Sequence, residues 1–314
     1  MAFDLDAIPN LFGKRALITG GTGGLGFETA KAMAKAGATV VLIGRSEAKG
    51  ATAIDRIMRA TPEARISFCN VNLASLASIR SFGKAQRCLK LPIDILVNNA
   101  GLMAPPKRML TEDGFELQFG TNHLGHFALT GVLLPLLGMA PSPRVVTISS
   151  GIAAFGKLDF GDLQSERSYN PNAAYMQSKL ANLLFTRALQ YHSDEGGWNI
   201  LSLAAHPGHA RTDLIANGAG KPKGAKALFV RLIQAVASHD AASGALPALM
   251  AATAPDVEKL DYFGPTGLLQ QKGPPGRVAM PKGAEKDDLS ARLWRVSEQL
   301  TGVWYGRIWA DKVR

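Results

Sequence analysis

The sequence predicts an α/β protein built on a doubly wound parallel sheet, and three observations carry that expectation. Short apolar runs alternate with helical stretches from residue 15 to about 205. Most of the runs are continuously apolar, as strands covered on both faces require. A glycine-rich turn separates the first run from the first helical stretch, a strand–turn–helix order. Ala16-Leu17-Ile18 opens the series; Thr19-Gly20-Gly21-Thr22-Gly23-Gly24-Leu25-Gly26 follows it, and the helical composition of 27–36 stops at Gly37. Val40-Val41-Leu42-Ile43 is the second strand, with a helix over about 46–60 and a third strand over 66–71. Further strands are expected at 93–97, 144–149 and 199–204, and helices near 75–87, 111–129 and 172–191. No linker-like break and no internal repeat divides the chain, so 1–314 reads as one domain: a core over 12–208, and 209–314 with a few helical stretches and a Gly/Pro-rich segment at 264–283.

Composition narrows the class. Of 314 residues, 46% are hydrophobic and 19% charged, and the 33 glycines and 17 prolines follow no period, which excludes disordered and fibrous chains. The apolar stretch 127–140 is interrupted by Thr130, Gly131 and Pro135 and falls short of the roughly 18–20 residues that span a bilayer, so no transmembrane segment is expected. The opening Met-Ala-Phe-Asp-Leu-Asp carries two acids and no basic region, unlike a secretory signal, and the expected location is cytoplasmic. Cys69 and Cys88 form no disulfide or metal pattern and read as reduced structural residues. Lys plus Arg is 35 against 25 acids, a formal +10, but the excess is scattered and no nucleic-acid partner is expected. The nearest cluster, Lys221, Lys223, Lys226 and Arg231, is interleaved with apolar residues and suits a lid or a membrane surface. His123/His126 and His206/His209 are each three apart, yet no Cys is near and Asp213 alone completes no familiar site, so no metal is expected.

The turn has the spacing T-G-x-x-x-G-x-G. Gly20, Thr22, Gly23, Gly24, Leu25 and Gly26 would let the backbone approach a pyrophosphate and aim helix N–H groups at its charge, as in Rossmann-type dinucleotide sites. At the end of the second strand stands Arg45, where an acid would suit the ribose hydroxyl of NAD; an arginine there suits the 2′-phosphate, so NADP(H) is expected in preference to NAD(H). Tyr175 and Lys179 are four apart in a helical stretch and share a face. A neighbouring ammonium lowers a phenol's pKa of about 10 towards a useful range, although Y-x-x-x-K also arises by chance on helix surfaces.

Taken together, these motifs resemble the short-chain dehydrogenase/reductase family. The family's sheet motif is matched by Asn98-Asn99-Ala100-Gly101, its helix asparagine by Asn122, its strand-end serine by Ser150, and its later turn by Pro207-Gly208. The likeness covers about residues 12–260. It is nearest to the branch of retinol dehydrogenases, WW-domain oxidoreductases and protochlorophyllide reductases, through Ser178-Lys179-Leu180-Ala181-Asn182-Leu183-Leu184-Phe185, Leu73-Ala74-Ser75-Leu76 and the separation of 25 residues between Ser150 and Tyr175. The resemblance implies hydride transfer between a nicotinamide and a carbonyl or alcohol. Tyr175 would be the general acid/base, Ser150 would hold the carbonyl oxygen, Lys179 would lower the tyrosine pKa and grip the nicotinamide ribose, and Asn122 would anchor a relay water. Asn99, Ala100, Gly101, Pro207, Gly208 and Thr212 would flank the cofactor. Ser149, the first serine of its pair, reads as a packing residue. Where the branch has Asp before Leu to hold adenine, this chain has Asn72-Leu73, a substitution that alters the donors and acceptors on offer.

No counterpart of the membrane anchor of microsomal retinol dehydrogenases is expected here, and retinoid turnover does not follow from the likeness. The expected substrate is a small apolar carbonyl or alcohol, from the Leu, Phe, Ala and Val around 214–236 and the Gly/Pro-rich tail, which suit a lid. The alternatives are a C=C bond reductase using the same pair and a catalytically silent NADP sensor or scaffold. The likeness also allows a homo-oligomer through the helix of Tyr175 and its neighbour. Trp294, Trp304 and Trp309 are read as packing residues or a pocket wall.

Overall fold

The computed structural model describes residues 3–208 and 240–313. Thr212, His209, Asp213, the cluster from Lys221 to Arg231 and the apolar lid over 214–236 lie outside the described residues. The chain alternates β1 (Arg15–Thr19), α1 (Gly24–Lys35), β2 (Thr39–Gly44), α2 (Glu47–Ala60), β3 (Arg65–Asn70), α3 (Leu76–Leu89) and β4 (Ile95–Asn98). It continues through α4 (Gly125–Leu137), β5 (Arg144–Ile148), α5 (Pro171–Gly196), β6 (Leu201–Ala205), α6 (Ala241–Thr253), β7 (Tyr262–Pro265), β8 (Pro275–Arg277), α7 (Asp287–Thr301) and α8 (Tyr305–Val313).

The strands form one sheet in the order β3-β2-β1-β4-β5-β6-β7-β8, parallel except for the β7/β8 hairpin. Continuous apolar runs bury both faces, as β1 shows: Ala16 and Ile18 join the core under α1, α2 and α6, while Leu17 joins the core under α3, α4 and α5. Burying a side chain such as Phe127 or Leu133, each wholly excluded from solvent, stabilises the fold by roughly 1.5–3 kcal/mol. Strand order reverses between β1 and β4. That reversal opens a crevice at the carboxyl ends of the strands, the usual ligand position in such sheets.

Three expectations need correction. β3 is half exposed rather than covered on both faces, because it is the sheet edge. The helix expected over 111–129 starts later, at Leu117. Thr111 and Phe115 instead close a turn around Gly114 (φ +85°), Glu116 caps the first helical turn, Gly120–Leu124 form a π-helical turn, and α4 then runs to Leu137. β7 and β8 were not expected, since Tyr-Phe-Gly-Pro and Pro-Gly-Arg are too short and too rich in Gly and Pro to show a strand period. The C-terminal tryptophans divide: Trp294 and Trp309 pack in the aromatic seam beside Trp198, Phe127, Phe185 and Tyr305, while Trp304 is 38% exposed and lines a groove. No described helix is long and apolar enough to cross a membrane.

Candidate active site

The glycine turn sits at the carboxyl end of β1, within the crevice. Gly20 (φ +66°) and Gly24 (φ +52°) use left-handed conformations that disfavour side chains. At Gly26 a Cβ would lie 2.4 Å from the Asn99 amide nitrogen and 2.5 Å from the Gly20 carbonyl oxygen, so only glycine lets α1 start this close to β4. Gly23 caps α1 without a side-chain hydrogen bond, leaving the first N–H groups of a 12-residue helix free to meet an anion. These features fit a dinucleotide pyrophosphate. Thr22 lies against Gly44, whose Cβ would be 3.4 Å from its methyl, and Arg45 follows, exposed and without an ion-pair partner among the described residues. Leu25 is half-buried and its carbonyl accepts from the Thr29 hydroxyl.

β1 and β4 are tied where the crevice opens. The Asn99 and Ala100 N–H groups donate to the Thr19 hydroxyl at 2.8 and 2.9 Å, and the Asn99 amide donates to the Thr19 carbonyl at 2.7 Å. Gly101 faces the next layer: a Cβ there would stand 3.2 Å from Asn122 Oδ1 and 3.6 Å from Lys179 Nζ. Asn122 lies in the π turn, fully buried. Its Oδ1 accepts from Leu102 N–H at 2.9 Å, and its Nδ2 donates to the Leu102 carbonyl and to Ser178 Oγ, joining the loop after β4 to α5.

Tyr175 and Lys179 share the buried face of α5. Ser150 stands beside the Tyr175 phenol and favours its ionised form, whereas Ser149 Oγ donates to the Lys179 carbonyl at 2.8 Å, so the two serines face different partners. Lys179 Nζ donates to the Ile148 carbonyl at 3.1 Å and stands 5.8 Å from the Tyr175 ring centroid. Both groups are deeply buried, and the charged form of each suffers for it. Burial pushes the Tyr175 phenol up to about 12, against a smaller lowering by Ser150, and brings Lys179 down to about 8. Burial is the larger influence on the phenol here, and the Lys179 ammonium is turned towards the Ile148 carbonyl. As the protein stands the phenol is a proton donor.

The remaining candidates make contacts within the protein. Asn72 donates through Nδ2 to Glu112 at 2.8 Å and accepts from Ala74 N–H, so both ends of its amide are engaged, and Leu73 is buried. Gly208 (φ +66°), after Pro207, has no room for a Cβ beside the Gln271 carbonyl and donates to His206 Nδ1 at 3.3 Å.

Sequence reasoning passed over Thr19, Ser178 and, above all, His126. His126 Nδ1 lies 2.8 Å from the Asn122 carbonyl and its Nε2 2.9 Å from the Thr19 hydroxyl. A carbonyl only accepts, so Nδ1 carries the proton and Nε2 accepts from Thr19. Burial holds the ring neutral, with its pKa down at about 4. His126 thus joins the π turn of Asn122 to the end of β1. Its position four residues after Asn122 was the available signal. His123 instead bonds Ser297 Oγ at 2.8 Å, so the two imidazoles turn to different partners, and among the described residues no three potential ligands gather for a metal.

Comparison with known proteins gives the same direction. The model of the short chain dehydrogenase family matches residues 14–221. Human polyprenol dehydrogenase is 36% identical over 292 residues, covering 92% of this chain and 85% of that protein. Human retinol dehydrogenase 14 is 36% identical over 308 residues, covering 93% and 88%. Among solved structures, an uncharacterized protein from Mycobacterium paratuberculosis superposes with a TM-score of 0.80 at 35% identity, covering 97% of this chain and 99% of that one.

Proposed function

Because the chain belongs to the short-chain dehydrogenase family, NAD(P)-dependent oxidoreductases of alcohols and carbonyls, we propose that it interconverts an apolar alcohol and its carbonyl with NADP(H), using Tyr175 as the acid and base. The observation that carries this reading is the meeting of Ser150, Tyr175, Lys179 and Asn122 beside the glycine turn. The turn and the N-terminus of α1 would hold the pyrophosphate, Arg45 the 2′-phosphate, and Asn99, Ala100 and Gly101 the nicotinamide side. The bound cofactor supplies the hydride. The Ser150 hydroxyl holds the substrate oxygen beside the phenol, and Tyr175 gives it a proton in reduction and takes one back in oxidation. Lys179 keeps a positive charge near that exchange, and Asn122 fixes the loop that carries Gly101. The names of the two human relatives support an alcohol on a long apolar chain as the substrate class. A cytoplasmic location remains part of the proposal.

NADPH oxidation with a panel of apolar aldehydes, ketones and enones tests the reading, with Tyr175→Phe beside the parent. The expected result is turnover of aldehydes or ketones by the parent, loss of at least about 100-fold in the variant, and unchanged NADPH affinity. An unimpaired Tyr175→Phe enzyme would refute the mechanism, and turnover of enones alone would move the reaction to C=C reduction.

A further inference from the structure

Far from the catalytic residues, a groove of about 750 Å³ runs between the C-terminal ends of α3 and α4 and the start of α8. α4 runs antiparallel to the strands, and the Leu136 carbonyl near its end accepts from Ile93 N–H just before β4. The groove therefore opens at the amino ends of the strands, opposite the glycine turn and Tyr175. Its floor is apolar: Val132 and Leu136 from α4, Met139 just after its end, and Val303, Trp304 and Ile308 from the α7–α8 junction and α8. Met139 is 47% exposed and Trp304 38%.

Around that floor stand Arg80, Arg87, Lys90 and Arg307, and among the described residues no acid lines the groove. α3 itself, Leu76–Leu89, contains no Asp or Glu. Arg87 reaches over to donate to the Val132 carbonyl at 2.8 Å, which holds its guanidinium at the edge of the floor. Arg307 lies over the Trp304 ring and near the half-buried Glu298. Arg80 and Lys90 are exposed and have no ion-pair partner among the described residues. Like charges crowded round an apolar trough are unfavourable until an anion joins them, and an exposed apolar floor is unfavourable until something covers it. One ligand relieves both. The concave volume falls within the range of small-molecule sites rather than of flat protein interfaces.

We propose that this groove is a second ligand site, which binds a single-chain amphipathic anion, a long-chain carboxylate. Its alkyl chain lies along Val132, Leu136, Val303 and Ile308, and its head group pairs with the rim of Arg80, Arg87, Lys90 and Arg307. Arginine forks suit a carboxylate, and the apolar floor supplies the chain with the same driving force as burial in a core.

The test is a titration of the full-length protein with tetradecanoate below its micellar concentration, followed by tryptophan fluorescence and calorimetry. The parent should bind one equivalent saturably, with Trp304 reporting; in Trp304→Phe the fluorescence change is lost while the calorimetric stoichiometry is kept. Arg80→Glu/Lys90→Glu, two surface changes whose folding is checked by thermal melting, should weaken binding at least tenfold, as should raising the salt from 0.05 to 0.5 M. Tetradecanol, which has the chain without the charge, should bind at least tenfold more weakly than tetradecanoate when followed by the fluorescence change that Trp304→Phe removes, a readout separate from any binding at the catalytic site. The proposal is overturned by any of three results: no saturable binding, equal affinity in the double charge variant, or equal affinity for the neutral alcohol. It is also overturned if the protein ignores tetradecanoate but sediments with phosphatidylcholine vesicles containing phosphatidylglycerol, because the basic face would then serve a bilayer rather than one chain.

Discussion

Lys179 shows how a functional charge is held at the expense of stability. Its ammonium is fully buried, with one described acceptor, the Ile148 carbonyl, and its pKa of about 8 lies below the ordinary 10.5. Between those values the unfolded chain holds the proton more tightly than the folded one, so this group's contribution to stability rises with pH from about 8 to 10.5; below 8 the full penalty persists. Tyr175 acts in the opposite sense between 10 and about 12, where the folded chain keeps the phenolic proton. Lys179→Met should therefore be more stable than the parent at pH 7. The charge penalty corresponds to about 3 kcal/mol, less about 1 kcal/mol for the lost hydrogen bond, giving a net gain of about 2 kcal/mol. Urea unfolding at pH 7, 9 and 10 checks this: the gain should shrink steadily across the series. Arg45 offers a second test at the same scale. Arg45→Glu should weaken NADPH binding by tenfold or more, as expected for a charge-assisted pair worth about 1.5–3 kcal/mol, and leave NADH affinity unchanged or improved. Equal losses for both nucleotides in fluorescence titrations would remove Arg45 from the 2′-phosphate.

The element most instructive about packing is α4. It is apolar all round, with almost every side chain from Gly125 to Leu137 buried, so its two glycines mark where neighbours come closest. A Cβ on Gly131 would stand 2.4 Å from Val303 and 2.8 Å from the Tyr305 ring, and one on Gly83 of α3 would stand 2.7 Å from Val132. Gly131→Ala should destabilise the protein by about 1–3 kcal/mol through overpacking. Gly306→Ala in α8, with open space around it, should be neutral or stabilise by up to about 1 kcal/mol, and chemical denaturation of the pair separates the two cases. The same helix shows how far the sequence was legible. The continuous strands, the glycine turn and the helix carrying Tyr175 and Lys179 were readable because each has a period or spacing of its own. The late start at Leu117 was not, because the Thr111–Phe115 turn carries the same apolar and polar mixture as a helix and is decided by Gly114 and the Glu116 cap. His126 was visible as a histidine but invited a metal reading; its bonds to Asn122 and Thr19 depend on the π turn, which leaves no mark in composition.

At the scale of the whole molecule, the last segment decides what the outer face of the catalytic half presents. α7 packs along α5 and α8 along α4, on the sides of those helices away from the sheet. An aromatic seam joins them: Trp294 lies 5.0 Å from Phe127 and 4.5 Å from Tyr305 between ring centroids, His192 stacks on Trp294 at 4.3 Å, and the Tyr305 hydroxyl donates to the Phe127 carbonyl at 2.7 Å. An assembly of two chains through α4 and α5 would need the face that this tail already occupies. The intact protein should therefore show no association through that face. Removing 287–314 should uncover Phe127, Phe185 and Trp198 together, a patch large enough to drive association. Sedimentation velocity is expected to give a concentration-independent profile for the parent, or one unaffected by substitution on α4 and α5, and concentration-dependent association for the shortened chain. Tyr305→Ala separates packing from coverage. It keeps the tail but leaves a cavity beside Phe127 and Trp294, and should cost about 3–5 kcal/mol without promoting association. If the shortened chain instead stays monomeric with an unchanged melting temperature, the seam contributes nothing to the fold and the face beneath it is not a latent interface.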